Sequence, residues 1–284
     1  TLPWFGRLGA KEDDVIQLAK AKYEAFEETK SKLFFDIKSA YYNLYFVQKG
    51  IAITKENIAI LNTFQQLALI KVETGKSSVV DEMRVEMEKN ELENQLAYLL
   101  DTKWVLEVNF NKLLNQPVET SIVVPDYLWD ESLAYSKEIL LDSISNQNHM
   151  IKQLDFKMAS FQKQEIAAHK MGGPKISVGM DYILIGNSDN PMVGNDSGKD
   201  AILFPKIGIT VPLYSKKYKA MINEASLNIE ATQFQKEDKQ NQLTILFEKG
   251  HKEYKDGERR ITLFQKQLKL AEKSLAILLT AYSN

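Results

Sequence analysis

Apolar residues from about Lys11 to Val72 fall on two adjacent lines. Leu33, Ile37, Ala40, Leu44, Val47, Ile51, Ile58 and Leu61 follow a heptad register, and the stretch holds no proline and only one glycine, Gly50. This spacing predicts a helix of about 60 residues, roughly 90 Å long at 1.5 Å per residue. The second line, Phe35, Tyr42, Phe46, Ile53, Ile60 and Leu67, runs beside the first. Such a helix has neighbours on two sides, which suits a wall of helices better than a two-stranded rod.

The periodicity breaks at Val72 to Met83, VETGKSSVVDEM, and restarts at once. Gly75 stands where the first helix needs a left-handed C-cap. Ser77 or Ser78 stands where the next needs an N-cap, with Asp81 and Glu82 in its first turn. Val85, Leu92, Leu99, Leu106 and Leu113 then recur every seven residues, with Leu96, Trp104 and Phe110 widening the stripe. The second helix is expected to end near Asn115, before Pro117. Residues 11–116 therefore read as a long helical hairpin with its tip at 72–79. A plain connector with good capping chemistry is the rival reading of that tip.

Residues 117–130 carry two prolines and read as an extended linker. Two shorter helical patterns follow, about Ser132 to Ser145 and Asn148 to Met171, completing a segment over 117–172. Then the period changes from helical to alternating, over 174–214. Ile176, Val178, Met180, Tyr182 and Leu184 alternate with Ser177, Gly179 and Asp181; Leu203, Pro205, Ile207, Ile209, Val211 and Leu213 alternate with Lys206, Gly208 and Thr210. Each strand is of the length that crosses a bilayer at a tilt, about 10 residues. An apolar outer face and a small, polar inner face are what a water-filled barrel requires. Two strands cannot satisfy their own edges in lipid, so closure needs other strands or other chains. The long polar loop at 186–200 suits the exterior end of a barrel. From 215 to 284 the helical pattern resumes, through Ala220, Ala225, Ile229, Leu246, Tyr254, Ile261, Leu268 and Leu275.

Composition narrows the function classes. At 44% hydrophobic and 26% charged the 284 residues can bury a core, and a net charge of -2 gives no basic field for nucleic acid. The absence of cysteine excludes thiol chemistry, thiolate metal sites and disulfides. No apolar run approaches the roughly 18 residues of a membrane-spanning helix. Residues 1–10 read as the end of a strand leading into the first helix, and the chain closes in mid-pattern at TAYSN. A fragment of a longer protein is the expectation.

Candidate chemistry is sparse. His149, His169 and His251 lack metal-ligand spacing. Gly194 to Asp200 is one residue short of a phosphate-binding loop and is followed by a strand instead of a helix. Asp189, Asn195, Asp196 and Asp200 lack the spacing of a calcium loop. Glu82, Glu86, Glu88, Glu91 and Glu93, interspersed with Arg84 and Lys89, read as a solvated helix face. No nucleophile, base and orienter come together, so no enzyme, cofactor or metal is expected.

The segments before the two long helices match each other: Leu2-Pro3-Trp4-Phe5 and Val211-Pro212-Leu213-Tyr214 each lead into an Ala-rich section. With this repeat, the chain resembles the TolC-like outer-membrane efflux proteins. The resemblance rests on Lys71 to Asp81, matching the family's hairpin tip, and on Leu113-Leu114-Asn115-Gln116-Pro117 at the helix end. It rests further on Pro174 to Gly179 at the start of a strand, and on Gly208 to Tyr214 at the return into the duct. Val72 stands where the family usually has Tyr, and Leu114-Asn115-Gln116 replaces the usual Leu-Gly. The resemblance implies a mainly α protein with a transmembrane β part: long antiparallel hairpins form a periplasmic α-barrel, and strands from three copies close one outer-membrane β-barrel. It implies a passive exit duct of a tripartite pump for small molecules, metals or peptides. Its partners would be itself, as a homotrimer, outer-membrane lipid, a periplasmic adaptor and, indirectly, an inner-membrane pump. The tip residues Val72, Thr74, Gly75, Ser77, Ser78 and Val79 would dock the adaptor. Ser177, Gly179, Asp181, Lys206, Gly208 and Thr210 would face the lumen, and Ile176, Val178, Met180, Tyr182, Ile207, Ile209 and Val211 the lipid. The alternatives are a coiled-coil scaffold and the periplasmic adaptor of such a pump.

Overall fold

Apolar lines that hold one register over many turns, uninterrupted by proline, give this chain helices of unusual length. The structure, a computed structural model, describes residues 6–75, 78–128, 133–183 and 202–283, excepting the side chains of 202–204 and 278–283. Its elements are α1 (Arg7–Glu73), α2 (Val79–Leu113), α3 (Lys137–Gln147), α4 (His149–Met171), β1 (Lys175–Ile183), β2 (Ile202–Thr210) and α5 (Lys216–Ser283). α1 and α5 run for 67 and 68 residues. The chain divides into two compact units, Glu28–Leu133, and Thr1–Glu27 with Ala134–Asn284.

In the unit Glu28–Leu133 the middle of the heptad line becomes a buried seam: Ala40, Leu44, Val47 and Ile51 are buried, and so is Thr54, whereas Leu33 at the start of the line is exposed. α2 covers the seam in antiparallel order. Tyr41 meets Phe110 with ring centroids 5.9 Å apart, Gly50 faces Leu99, and Gln65 donates to Glu82 at 3.3 Å while accepting from Lys89 at 3.4 Å. The second apolar line stays open, with Phe35 69% and Phe46 77% exposed. α2 ends in a Schellman motif. Asn115 adopts φ 54, its N–H donates to Lys112 O at 3.1 Å, and Gln116 N–H donates to Asn111 O at 2.8 Å. Asn tolerates this left-handed conformation, which explains how the chain ends the helix without the usual glycine. Fully buried Asn111 donates to Val118 O and Thr120 O, both at 2.9 Å, and holds the returning linker. Further along, Tyr45 OH donates to Asp126 O at 3.3 Å. Lys49 lies 5.6 Å from the Tyr45 ring and 5.3 Å from that of Tyr127.

In the other unit α4 packs against α5, and α3 touches both. Small buried residues, Ala10, Ala21, Ala167, Ala168 and Ala225, allow close helix approach. Polar clasps fix the register between elements: His149 Nδ1 lies 2.7 Å from Glu24 Oε2, Lys236 pairs with Asp155 at 2.5 Å, and Lys137 with Glu248 at 2.7 Å. β1 and β2 form one antiparallel pair, from Lys175 opposite Thr210 to Ile183 opposite Ile202.

Three boundaries correct the sequence reading. Residues 7–10, expected to end a strand, already belong to α1. The helix expected from about Ser132 begins at Lys137, because Ser136 caps it by accepting from the Ile139 N–H at 3.5 Å. Val211, expected as a lipid-facing strand residue, lies one position past β2. Pro212 has no N–H to continue the ladder, so the strand stops at Thr210.

Candidate functional site

The strand pair joins two alternating patterns in one register. Ile176 pairs with Ile209, Val178 with Ile207 and Met180 with Pro205; between them Ser177 pairs with Gly208 and Gly179 with Lys206. Because side chains alternate, one face carries Ile176, Val178, Met180, Tyr182, Ile207 and Ile209, and the other carries Ser177, Gly179, Asp181, Lys206, Gly208 and Thr210. The apolar face is open: Val178 is 63%, Met180 67%, Ile207 79% and Ile209 69% exposed. The polar face is internally tied. Asp181 and Lys206 form a diagonal ion pair, and Ser177 Oγ donates to Gly208 O at 3.2 Å. A Cβ at Gly208 would fall 2.5 Å from Ser177 Oγ, so this cross-strand bond depends on glycine.

At the hairpin tip, Gly75 takes φ 66, and its N–H donates to Val72 O at 3.0 Å. Thr74 Oγ1 turns back to Ile70 O at 2.9 Å. Ser78 is the N-cap of α2: its side chain accepts from the Val80 N–H at 3.2 Å, and its own N–H donates to Asp81 Oδ2 at 3.4 Å, a capping box. Beside the locally bonded Thr74, Ser78 and Asp81, the described part of the tip exposes apolar side chains: Ile70 is 56%, Val79 51%, Val80 53% and Met83 53% exposed. Ser77, named with this tip, and the loop residues Asp189, Asn195, Asp196 and Asp200 lie outside the described residues.

Sequence reasoning missed the apolar cleft of about 350 Å³ that Tyr41, Tyr42, Phe110 and Tyr127 line in the Glu28–Leu133 unit. It forms because the linker folds back over the hairpin, which no local spacing announces. Among the described residues no three His, Cys, Asp or Glu come together to hold a metal. No described helix is long and apolar enough to cross a membrane, which says nothing of strands.

Helices of 67 and 68 residues, a tightly capped hairpin and a hairpin of bilayer-length strands make up the fold of the TolC-like outer-membrane channels. The outer-membrane channel OprN aligns with a TM-score of 0.67 at 15% identity over 86% of this chain and 54% of its own. CusC aligns at 0.66 and 16% over 84% and 55%, and VceC of Vibrio cholerae at 0.64 and 15% over 84% and 56%. In sequence the chain is 24% identical over 241 residues to Toxin and drug export protein A of Aggregatibacter actinomycetemcomitans, covering 82% of this chain and 50% of that protein. No family model matches. The chain thus spans about half the length of these relatives.

Proposed function

We propose that this chain is part of an outer-membrane exit duct: its strand pair joins strands of other copies in a barrel, and its long helices line a periplasmic conduit. The observation that carries the reading is the strand register. It gathers the apolar residues on one exposed face and Asp181, Lys206, Ser177 and Thr210 on the other, over nine residues per strand, at the head of helices too long for an ordinary globular domain. The open second line on α1 then meets neighbouring helices of the duct. Three copies close the barrel, as the resemblance implies, and the exposed Val79, Val80 and Ile70 at the tip receive the helical hairpin of a periplasmic adaptor, which links the duct to an inner-membrane pump. The similarity to a protein named for toxin and drug export supports an outward route. No catalytic step is assigned to the chain. A coiled-coil scaffold would leave this strand pair between its helices unexplained.

The test is reconstitution of the full-length protein carrying this chain into planar bilayers. Stepwise conductance, and a trimer in detergent, are the expected results. A protein that stays soluble without detergent and gives no conductance would overturn the reading.

A further inference from the structure

Where the strands give way to the helices, the chain carries lysine and no acid. Between Ile166 and Met180 and between Ile207 and Asn223 there are five lysines and neither Asp nor Glu, in a chain with 38 acidic residues. The fold draws most of this charge together. Lys175 is paired with Thr210 at the helix end of the strands. Tyr218 packs over Gly172, its Cγ 3.8 Å from where a Cβ would sit, so the start of α5 lies against the end of α4. Lys170 Nζ donates to Gly6 O at 3.2 Å, beside Arg7.

Next to this basic zone, in the short segment between β2 and α5, two large side chains stand open: Leu213 is 87% and Tyr214 86% exposed. Lys216, Lys217 and Lys219 follow directly, all exposed, and among the described residues they enter no ion pair. Two ordinary explanations fail. A solvated helix face mixes both signs, as α5 does further on with Lys255, Asp256, Glu258 and Arg259. Helix support would place acids here, yet the first turn of α5 has none, and cations at a helix start oppose its dipole.

We propose that this collar binds the headgroups of anionic phospholipids in the bilayer leaflet nearest the helices. Leu213 and Tyr214 sit at headgroup depth, where an amphipathic ring is best placed. The lysines lay their apolar stems along the surface and reach the phosphates. A soluble phosphate would use the charge and leave Leu213 and Tyr214 without a purpose. The proposal rests on the membrane reading above and adds a preference among lipids.

The experiment takes the full-length protein in vesicles of phosphatidylethanolamine mixed with a minor share of phosphatidylglycerol. It reads which lipids remain bound on extraction, by native mass spectrometry. The wild type retains phosphatidylglycerol several-fold over its share, and the preference falls as salt is raised. The combined Lys216→Gln, Lys217→Gln and Lys219→Gln variant floats with the vesicles as the wild type does and loses the preference; Leu213→Ser with Tyr214→Ser weakens it. Enrichment unchanged in the lysine variant, absent from the wild type, or abolished by inorganic phosphate at matched ionic strength would overturn the proposal. Failure to float with any vesicle would instead overturn the membrane reading itself.

Discussion

Ser160 Oγ donates to Asp14 Oδ1 at 2.5 Å and ties the middle of α4 to the early turns of α1, with Ser160 only 2% exposed. Gln164 Nε2 reaches the same oxygen at 3.1 Å, and Lys163 pairs with the adjacent Asp13 at 2.9 Å. Hydrogen bonds to a charged group are worth about 1.5–3 kcal/mol, so Ser160→Ala should destabilise this unit by about that amount, with Gln164 retaining part of the tie. The exposed pair is a different matter: Lys163→Ala should change stability by less than about 1 kcal/mol. Chemical denaturation of both variants is the check, and equal losses would show that Ser160 is not the anchor.

The end of α2 offers a second contrast. Asn115 sits at φ 54, a conformation that costs an ordinary L-residue about 1–2 kcal/mol. Asn115→Gly should therefore be neutral or stabilising, and Asn115→Val should lose about that cost. Asn111→Leu keeps the volume but leaves the carbonyls of Val118 and Thr120 without their donor. That should cost about 1–3 kcal/mol and release the linker, read as faster proteolytic cleavage within residues 118–128. A linker as resistant as in the wild type would mean that it is held unaided by the Tyr41 hydroxyl, which donates to Val123 O at 3.5 Å, and by the Tyr45 and Lys49 contacts.

Much of this architecture could be read from spacing alone, because the long helices and the strands advertise their periods over many residues. The heptad line of α1 located Ala40, Leu44, Val47 and Ile51 in the seam, and the alternation through Lys175 to Thr210 separated the two strand faces before any register was known. What escaped depended on partners distant in sequence or on one competing signal. Thr54 lies buried in the same seam, but a hydroxyl does not register in an apolar count. Asn111 looked like any polar residue near a helix end until the linker returned to its amide. Alternation also ran past the true end of β2 to Leu213, since side-chain pattern carries no information about the N–H that Pro212 lacks. The start of α3 was legible in principle, from Ser136 followed by Glu138, and lost out to an apolar pattern that began earlier.

Two glycines that look alike in the sequence should respond in opposite ways. At Gly50, inside α1, an added Cβ would lie 3.7 and 3.8 Å from the Leu99 methyls, an ordinary packing distance. Gly50→Ala should gain about 0.5–1 kcal/mol from reduced unfolded-state freedom and added contact. Gly75 has open space around it but φ 66. Gly75→Ala should lose about 1–2 kcal/mol through backbone strain alone. Thermal melts of the two variants should move in opposite directions, and a shared direction would contradict the assigned geometry of the tip.

The strand faces carry the sharpest prediction, because Val178 and Asp181 are three residues apart and point to opposite sides of the pair. If the apolar face meets lipid, Val178→Arg or Ile207→Arg should impair insertion by about 2–4 kcal/mol near the bilayer midplane. Substitution on the polar face stays in water: the Asp181 and Lys206 side chains are 43% and 65% exposed, and an ion pair of that kind contributes about 0–1 kcal/mol. Asp181→Arg should therefore insert normally, but it removes one acid and adds one base in every copy, shifting single-channel selectivity toward anions. Lys206→Glu should shift it toward cations for the same reason. Insertion yield measured in parallel with reversal potential separates the two faces: Val178→Arg should lose yield with selectivity intact, and Asp181→Arg should do the reverse. Identical behaviour of the two arginine variants would show that neither face is committed to lipid, and the duct reading would lose its main support.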